Sequence, residues 1–221
     1  LDAAIRGYTD ALALDDSLDA ARNNRAIAYL KRQAPGDLPA AVEDLTRYIE
    51  THRDDPTARN NRGSAYFYLG GAENARHALA DFDKAVEVAP EDVTGYYNRG
   101  LANIRLDQTA AWQADLRHAL EGEHPRAVVA LCWGYSLSAE PQTAVDYCRQ
   151  ATGDGDAGSW ENLAVAFARS GAFNEARAAL ETFRETPQGA AKRAEVDGWL
   201  AALRMGANPF DAAAVRRLRE E

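Results

Sequence analysis

Apolar side chains recur along this chain with the spacing of one face of an α-helix. In residues 1–14, Ala4, Tyr8 and Ala11 stand at the i, i+4 and i+7 offsets that place three side chains on one stripe. Similar stripes follow throughout the sequence. No stretch alternates apolar and polar residues over the length of a strand. The pattern therefore predicts an all-α protein.

Helix start and stop signals divide these stripes into separate helices. Asp55-Pro56 pairs an N-cap residue with proline at the first helical position, Asn208-Pro209 repeats that arrangement, and Asp37 is an expected N-cap. The predicted helices are residues 1–14, 18–32, 38–51, 56–69, 74–89, 91–107, 109–120, 125–137, 141–151, 160–170, 172–185, 188–205 and 209–219.

A four-residue motif recurs every 37 residues, as Asn23-Asn24-Arg25-Ala26, Asn60-Asn61-Arg62-Gly63 and Tyr97-Asn98-Arg99-Gly100. A fixed period of about this size is typical of a repeat array, in which each repeat is one supersecondary unit that buries its apolar face against its neighbours.

Small, aromatic and large apolar residues occupy matching places in five consecutive helix pairs. The five sets are Ala26, Tyr29, Ala41, Leu45 and Tyr48; Gly63, Tyr66, Ala78, Phe82, Ala85 and Pro90; Gly100, Asn103, Trp112, Leu116 and Ala119; Gly134, Leu137, Ala144, Cys148 and Ala151; and Trp160, Ala164, Phe167, Ala176, Leu180 and Phe183. This pattern resembles the tetratricopeptide repeat (TPR) family over residues 1–185.

The resemblance implies a right-handed superhelical solenoid of stacked antiparallel helix pairs. Residues 1–187 form the expected array, a half-repeat containing Ala4, Tyr8 and Ala11 followed by five repeats. In residues 188–221, a capping helix over residues 188–205 and a short terminal helix are expected to cover the last repeat. Because the chain opens inside a helix without an initiator Met, we expect a piece of a longer protein.

Two departures from the repeat pattern carry structural expectations. Where the two helices of a repeat cross, both residues are expected to be small, as with Gly63 and Ala78. Trp112 opposite Gly100 is too large, so we expect the third repeat to splay or Trp112 to rotate outward. The first two repeats are three residues longer than the usual 34, which predicts longer helices or turns.

The resemblance also implies a ligand groove, lined by the first helix of each pair. The groove candidates are Asn24, Ile27, Lys31, Asn60, Asn61, Ser64, Phe67, Tyr68, Tyr97, Asn98, Leu101, Arg105 and Tyr135. Asn24, Asn61 and Asn98 would stack in register and could bond a ligand backbone; alternatively, they bond neighbouring helices. The apolar candidates suit an extended or helical segment, or else pack between repeats.

The chaperone-binding members of the family carry a carboxylate clamp of lysine, asparagine and arginine across three repeats. The matching positions here hold only one of those residues, Asn61. Without the cations, a terminal carboxylate would lose its charge-assisted hydrogen bonds. We therefore predict no clamp function.

Arginine and aspartate recur together in the first three repeats. Arg25, Arg62 and Arg99 follow the asparagines, and each has an aspartate 19 or 16 residues later, at Asp44, Asp81 and Asp115. The joint recurrence predicts Arg–Asp pairs that tie the helices together. The alternative is an arginine stripe for an acidic ligand, which the aspartates would neutralise.

Cys132 and Cys148 fall on facing helices of the fourth repeat. They are either a disulfide pair, which would indicate an oxidising compartment, or two small buried apolar residues. Residues 152–159, TGDGDAGS, resemble a calcium loop faintly but lack its final glutamate, and are predicted to be a spacer. The four histidines share no metal-ligand spacing, so neither metal nor cofactor is predicted.

Composition narrows the function classes. The net charge of −9 and the pI near 5.0 argue against nucleic acid, and no apolar run approaches a membrane span. No catalytic triad or phosphate-binding loop appears, so no enzyme activity is predicted. We predict a protein–protein interaction scaffold that binds a peptide or helix. The alternatives are a structural or self-association module, dimerising through exposed terminal helices, or a targeting arm of an enzyme or membrane protein.

Overall fold

A computed structural model describes residues 1–220 of the 221-residue chain, and they contain fourteen helices and no strand. The helices are α1 (Asp2–Leu14), α2 (Asp19–Arg32), α3 (Asp37–Thr51), α4 (Pro56–Leu69), α5 (Gly71–Val88), α6 (Val93–Arg105), α7 (Thr109–Glu121), α8 (Ala127–Leu137), α9 (Pro141–Gly153), α10 (Ser159–Arg169), α11 (Phe173–Arg184), α12 (Pro187–Ala191), α13 (Arg193–Arg204) and α14 (Ala212–Glu220). The all-α prediction is confirmed.

Local sequence sets most helix ends as predicted. The Asp55 carboxylate accepts a hydrogen bond from the Ala58 N–H at 3.0 Å, with Pro56 opening α4. Gly71, in the left-handed region at φ +77°, opens α5 three residues earlier than predicted. The extra length of the second repeat therefore lengthens α5, which has 18 residues where α3 has 15.

Two predicted helix starts are wrong. Asp37 is the first residue of α3, and Gly36 at φ +88° is its N-cap; the Asp37 carboxylate instead binds Arg32 and the Ala34 N–H. At the other end of the chain, the Asn208 side chain accepts the N–H of Phe210, a residue that precedes α14. Asp211 accepts the N–H groups of residues 213 and 214, so α14 begins after it.

The helix predicted over residues 188–205 is two helices, α12 and α13, separated at Lys192. Thr186 caps α12 by accepting the Gly189 N–H at 3.0 Å. A Cβ added at Gly189 would lie 2.0 Å from the Phe183 carbonyl oxygen. Only glycine allows the backbone of α12 to approach α11 this closely.

The chain forms two compact units, which divide after Gln108. In the first unit, α2 pairs with α3 and α4 with α5, and each pair packs against the next. The first helices of the pairs also touch, because α2 contacts α4 and α4 contacts α6. The buried apolar core of this unit combines small and large residues, among them Ala26, Leu45, Ala65, Ala78 and Phe82.

Close crossing of α4 and α5 depends on Gly63. A Cβ at this position would lie 2.5 Å from the Phe82 ring, which is itself fully buried. The nearest neighbour of Gly63 is therefore the large Phe82 ring, whereas the predicted contact of Gly63 with the small Ala78 stays a prediction. One period earlier, Ala26 and Leu45 are both completely buried in the corresponding places.

The second unit begins at Thr109. Here α8 pairs with α9 and α10 with α11, α13 packs against α11, and α14 lies against α8. Trp112 does not rotate outward as one alternative predicted: it is 2% exposed and packs edge-on against Tyr135 of α8, with ring centroids 4.9 Å apart. The indole finds space in this apolar, aromatic layer.

Candidate functional site

Two arginines of the recurring motif form the predicted pairs with aspartate. Arg25 binds Asp44 through two hydrogen bonds of 2.8 and 2.7 Å, and Arg62 binds Asp81 through two of 2.7 Å. Both carboxylates are buried. The hydrogen bonds that Arg62 donates to Asp81 raise the pKa of Arg62 above its ordinary value.

Each motif arginine also reaches back by 16 residues to the preceding repeat, a contact that sequence reasoning missed. Arg25 donates to Thr9 and Arg62 to Thr46, each at 3.2 Å, and Arg99 lies 3.2 Å from Asp83. The three acceptors are themselves 37 residues apart, so the period could have revealed them. These arginines bind helices to each other, which confirms the structural interpretation for Arg25 and Arg62. The Arg99–Asp115 pair stays a prediction.

The asparagines of the motif occupy corresponding places on α2, α4 and α6. We call Asn24, Asn61 and Asn98 the Asn row; Asn24 is exposed and the other two are half-buried. Within the described chain, none of the three side-chain amides makes a hydrogen bond to another residue. The row therefore presents three amides, spaced one repeat apart, that are not used to bond neighbouring helices.

Other groove candidates lie on the same three helices with their surface partly open. Lys31 is exposed and Tyr68 is 58% exposed, whereas Ile27, Tyr97 and Leu101 are half-buried. Ser64 is half-buried too, and its hydroxyl donates to the Asn60 carbonyl at 2.8 Å. The Asn row and these residues together form what we call the first-helix surface, a polar and aromatic face with one exposed cation.

Three of the predicted groove residues are buried and do not belong to a ligand surface. Asn60 is 8% exposed and faces α6, where a Cβ added at Gly95 would lie 3.9 Å from its Nδ2. Arg105, 9% exposed, lies 3.9 Å above the half-buried Phe67 ring and donates to the Phe67 carbonyl. Tyr135, 7% exposed, packs between two aromatic rings.

The contact of Arg105 recurs in the second unit. Arg105 and Arg169 each stand five residues after the small residue of their repeat, and each donates to carbonyls at the end of an earlier first helix. Carbonyls in the last turn of a helix lack intrahelical donors, and a guanidinium satisfies them well. In both units, the arginine at this position therefore links its repeat to the preceding one by hydrogen bonds.

Cys132 and Cys148 are joined by a disulfide between α8 and α9. Their Cα atoms are 4.7 Å apart, and both side chains are completely buried. Facing positions on two antiparallel helices bring the thiols together, as the sequence allowed.

A cavity of about 410 Å³ lies between α1, α2 and α3 of the first unit. Arg22, Arg25 and Arg47 line it, together with acidic residues that bind them: Asp16, Glu43 and Asp44. The charges are balanced within the cavity, so it offers no unmatched charge to a ligand.

Among the described residues, no three His, Cys, Asp or Glu side chains are grouped so that they could hold a metal ion. Asp156 of the glycine-rich stretch instead accepts hydrogen bonds from the N–H and hydroxyl of Ser159, where α10 begins. Among the described helices, none is long and apolar enough to cross a membrane.

Comparison with solved structures gives the class of fold. A tetratricopeptide repeat protein from Parabacteroides merdae superposes over 97% of this chain and 89% of its own, with a TM-score of 0.70 at 20% identity. PilW, a type IV pilus biogenesis factor, superposes over 91% of this chain and 90% of its own, with a TM-score of 0.68 at 18% identity. YrrB, described as a TPR protein with an unusual peptide-binding site, superposes over 80% of this chain and 91% of its own, with a TM-score of 0.58 at 19% identity.

The chain therefore has the TPR fold, an all-α solenoid of helix pairs. No protein-family model matches its sequence, and no curated protein does.

Proposed function

We propose that the protein is a non-catalytic interaction scaffold whose first-helix surface binds an extended peptide or a helix of another protein. The observation that carries this proposal is the Asn row. Three asparagines one repeat apart have amides that no neighbouring side chain occupies, whereas the adjacent arginines are used within the fold. A side-chain amide offers both a donor and an acceptor, which is what a peptide backbone requires.

Chemistry around the row supports a peptide over a charged small molecule. Tyr68 presents an aromatic ring that is 58% exposed, and Leu101 and Ile27 add partly open apolar area. Large aromatic residues of this kind anchor many protein interfaces. The structurally similar YrrB is described as having a peptide-binding site, which fits the same use of the fold.

The test compares partner recovery by the wild-type protein and by Asn61→Ala combined with Tyr68→Ala. A partner recovered with the wild type is purified, and its affinity for each protein is measured. We expect it to bind the double variant about tenfold or more weakly, because one side-chain amide and one aromatic anchor are lost. Lys84→Ala with Glu87→Ala is the matched control, because these residues form an exposed pair on α5. Equal affinity of all three proteins would contradict the proposal.

A second candidate function is self-association through α1. Leu14 is 90% exposed, Leu1 57% and Leu18 40%, so several large apolar side chains are open to solvent at this end of the first unit. Exposed apolar area of this kind favours association. Light scattering would show a dimer for the wild type and a monomer for Leu14→Glu; a monomer for both would exclude this candidate.

A further inference from the structure

The last helix of the second unit leaves the order of the repeats. Helix α13 packs against α11, as the first helix of a repeat packs against the second helix of the repeat before. A regular array would continue with a helix paired to α13. Instead, residues 207–211 lead α14 back to α8, and Phe210 packs against Trp199 with ring centroids 5.1 Å apart.

Helix α14 is attached at the carboxyl end of α8. Arg219 donates to the Leu137 carbonyl at 2.9 Å, next to the Ser136 and Ser138 carbonyls that Arg169 binds at 2.6 Å. The end of a helix carries partial negative charge, which attracts both guanidinium groups. Ala214 and Val215 of α14 are buried, at 3% and 6% exposed.

The covered surface is the second unit's counterpart of the first-helix surface. Helices α8 and α10 are the first helices of their pairs, as α2 and α4 are in the first unit. Arg169 stands five residues after Ala164, in the register of Lys31 and Tyr68. In the first unit those two residues are exposed. In the second unit, Arg169 is half-buried, and its guanidinium binds the same end of α8 as Arg219 of α14.

The attachment of α14 is weak for a permanent part of the fold. It has nine residues, fewer than the roughly 12–15 that an isolated helix needs for stability, so it depends on its contacts. Those contacts bring two like charges, Arg169 and Arg219, to the same end of α8. Burial, and then the charge of Arg219, hold the pKa of Arg169 below its ordinary value.

We propose that the surface of α8 and α10 beneath α14 binds a basic amphipathic helix of another protein, and that α14 occupies this surface when the partner is absent. The face of α14 defines the chemistry of that partner. Val215 and Arg219 are four residues apart and therefore lie on one side of the helix. The partner carries an apolar residue, with arginine four positions later to reach the carbonyls at the end of α8.

The test uses the full chain and a fluorescent synthetic peptide with the sequence of residues 207–220. Val215→Asp places a charge on the buried face and releases α14. The peptide is expected to bind this variant about tenfold or more tightly than the wild type, in which α14 competes. Ala213→Asp, an exposed change in the same helix, should behave as the wild type. An unlabelled peptide of the same sequence with Arg219→Glu should not displace the fluorescent peptide from the Val215→Asp chain.

Equal peptide affinity for Val215→Asp and the wild type, with the helical circular dichroism retained, would overturn the proposal. Hydrogen exchange of the wild type gives a second measurement that needs no variant. The amides of α14 should exchange faster than those of α8 and α9, because α14 opens alone. Equal protection would make α14 a fixed part of the unit and would also overturn the proposal.

This inference concerns the second unit and does not rest on the proposed function of the first-helix surface. Asn61→Ala with Tyr68→Ala, introduced into the Val215→Asp chain, should leave peptide affinity unchanged. The failure of one proposal is therefore distinguishable from the failure of the other.

Discussion

Gly63 and Ala26 occupy the same place in successive repeats, and the residue that faces each one differs in size accordingly. Gly63 faces Phe82, whereas Ala26 is paired in the repeat pattern with Leu45. The smaller residue of the two, Gly63, faces the larger side chain, Phe82. Close packing of protein interiors explains this exchange, since added volume on one helix must be removed from the other.

Gly63→Ala should destabilise the protein by about 1–3 kcal/mol, because the new methyl would lie 2.5 Å from a buried ring. Denaturant unfolding measures the change. Gly198→Ala is the control: it lies in α13 with nothing within 4 Å of the new Cβ, and should stabilise by up to about 1 kcal/mol. Adding Phe82→Leu to Gly63→Ala copies the first repeat and should recover part of the loss. A double variant less stable than Gly63→Ala would contradict this explanation.

Arg62→Met should lower the free energy of unfolding by about 3 kcal/mol, because it leaves the buried Asp81 carboxylate without its two shortest hydrogen bonds. Arg53→Met, at an exposed position, serves as the control and should change stability by less than about 0.5 kcal/mol. If Arg62→Met kept wild-type stability but lost partner binding, the arginine would be a ligand residue and the structural interpretation would fail.

At the residue scale, the sequence could identify which residues recur with the repeat period, but not how deeply each side chain is buried. The Arg–Asp pairs were predictable because both members repeat with the same period. Asn60, Arg105 and Tyr135 were misplaced because register alone does not say which side chain a neighbouring helix covers. Arg105 lies on the Phe67 ring, a contact between residues 38 positions apart that no local pattern indicates.

At the element scale, the junction of α2 and α3 depends on one charged pair. Asp37, 3% exposed, accepts two hydrogen bonds from Arg32 and one from the Ala34 N–H. The hydrogen bond from Arg32 is the main cause that lowers the pKa of Asp37 below its usual value. The turn is therefore held by an ionised carboxylate.

Acid should weaken this junction. Because the folded pKa of Asp37 lies below the unfolded value of about 3.9, its contribution is fully present above that value and is lost as pH falls through the folded pKa. Urea unfolding at pH 6, 4 and 3 measures this effect. At pH 6 the wild type should be more stable than Asp37→Asn, and between pH 6 and pH 3 the wild type should lose more of its free energy of unfolding than the variant does. Parallel pH profiles for the two proteins would count against this role.

The disulfide joins the two helices of one repeat. Reduction should destabilise the protein by about 3 kcal/mol, since the bond closes a short loop, of 16 residues' separation, in the unfolded chain. Thiol titration of the unfolded, unreduced protein should find no free thiol, and two after reduction. Reductant should leave the stability of a Cys132→Ala, Cys148→Ala variant unchanged. Two free thiols before reduction would exclude the bond.

Helix positions were largely predictable, since proline, glycine and capping residues mark them in the sequence. Helices α12 to α14 were not. The break at Lys192 follows from the close approach of Gly189 to α11, and the return of α14 follows from contacts between residues 82 positions apart. These elements lie after the last regular repeat, where the period no longer constrains the chain.

At the scale of the whole molecule, the repeat period predicted the class of fold, because each repeat contacts mainly its neighbours and local rules suffice. The division into two compact units after Gln108 was not predicted; it falls between the two helices of the third repeat. The assignment of residues 1–187 to one array and 188–221 to a capping region stays a prediction. The boundary between these two regions depends on contacts between helices, and the repeat period does not encode those contacts.

The charge of the whole molecule argues against nucleic acid as a partner. Lysine and arginine number 25 against 34 acidic residues, and the arginines of the recurring motif are engaged within the fold. Phosphate binding requires accessible cations, whose effect grows as salt is lowered. We expect no retardation of a labelled DNA duplex or single strand in a gel shift at 150 mM salt, and none at 50 mM. Binding that strengthened at the lower salt would reveal a basic surface and overturn this assignment.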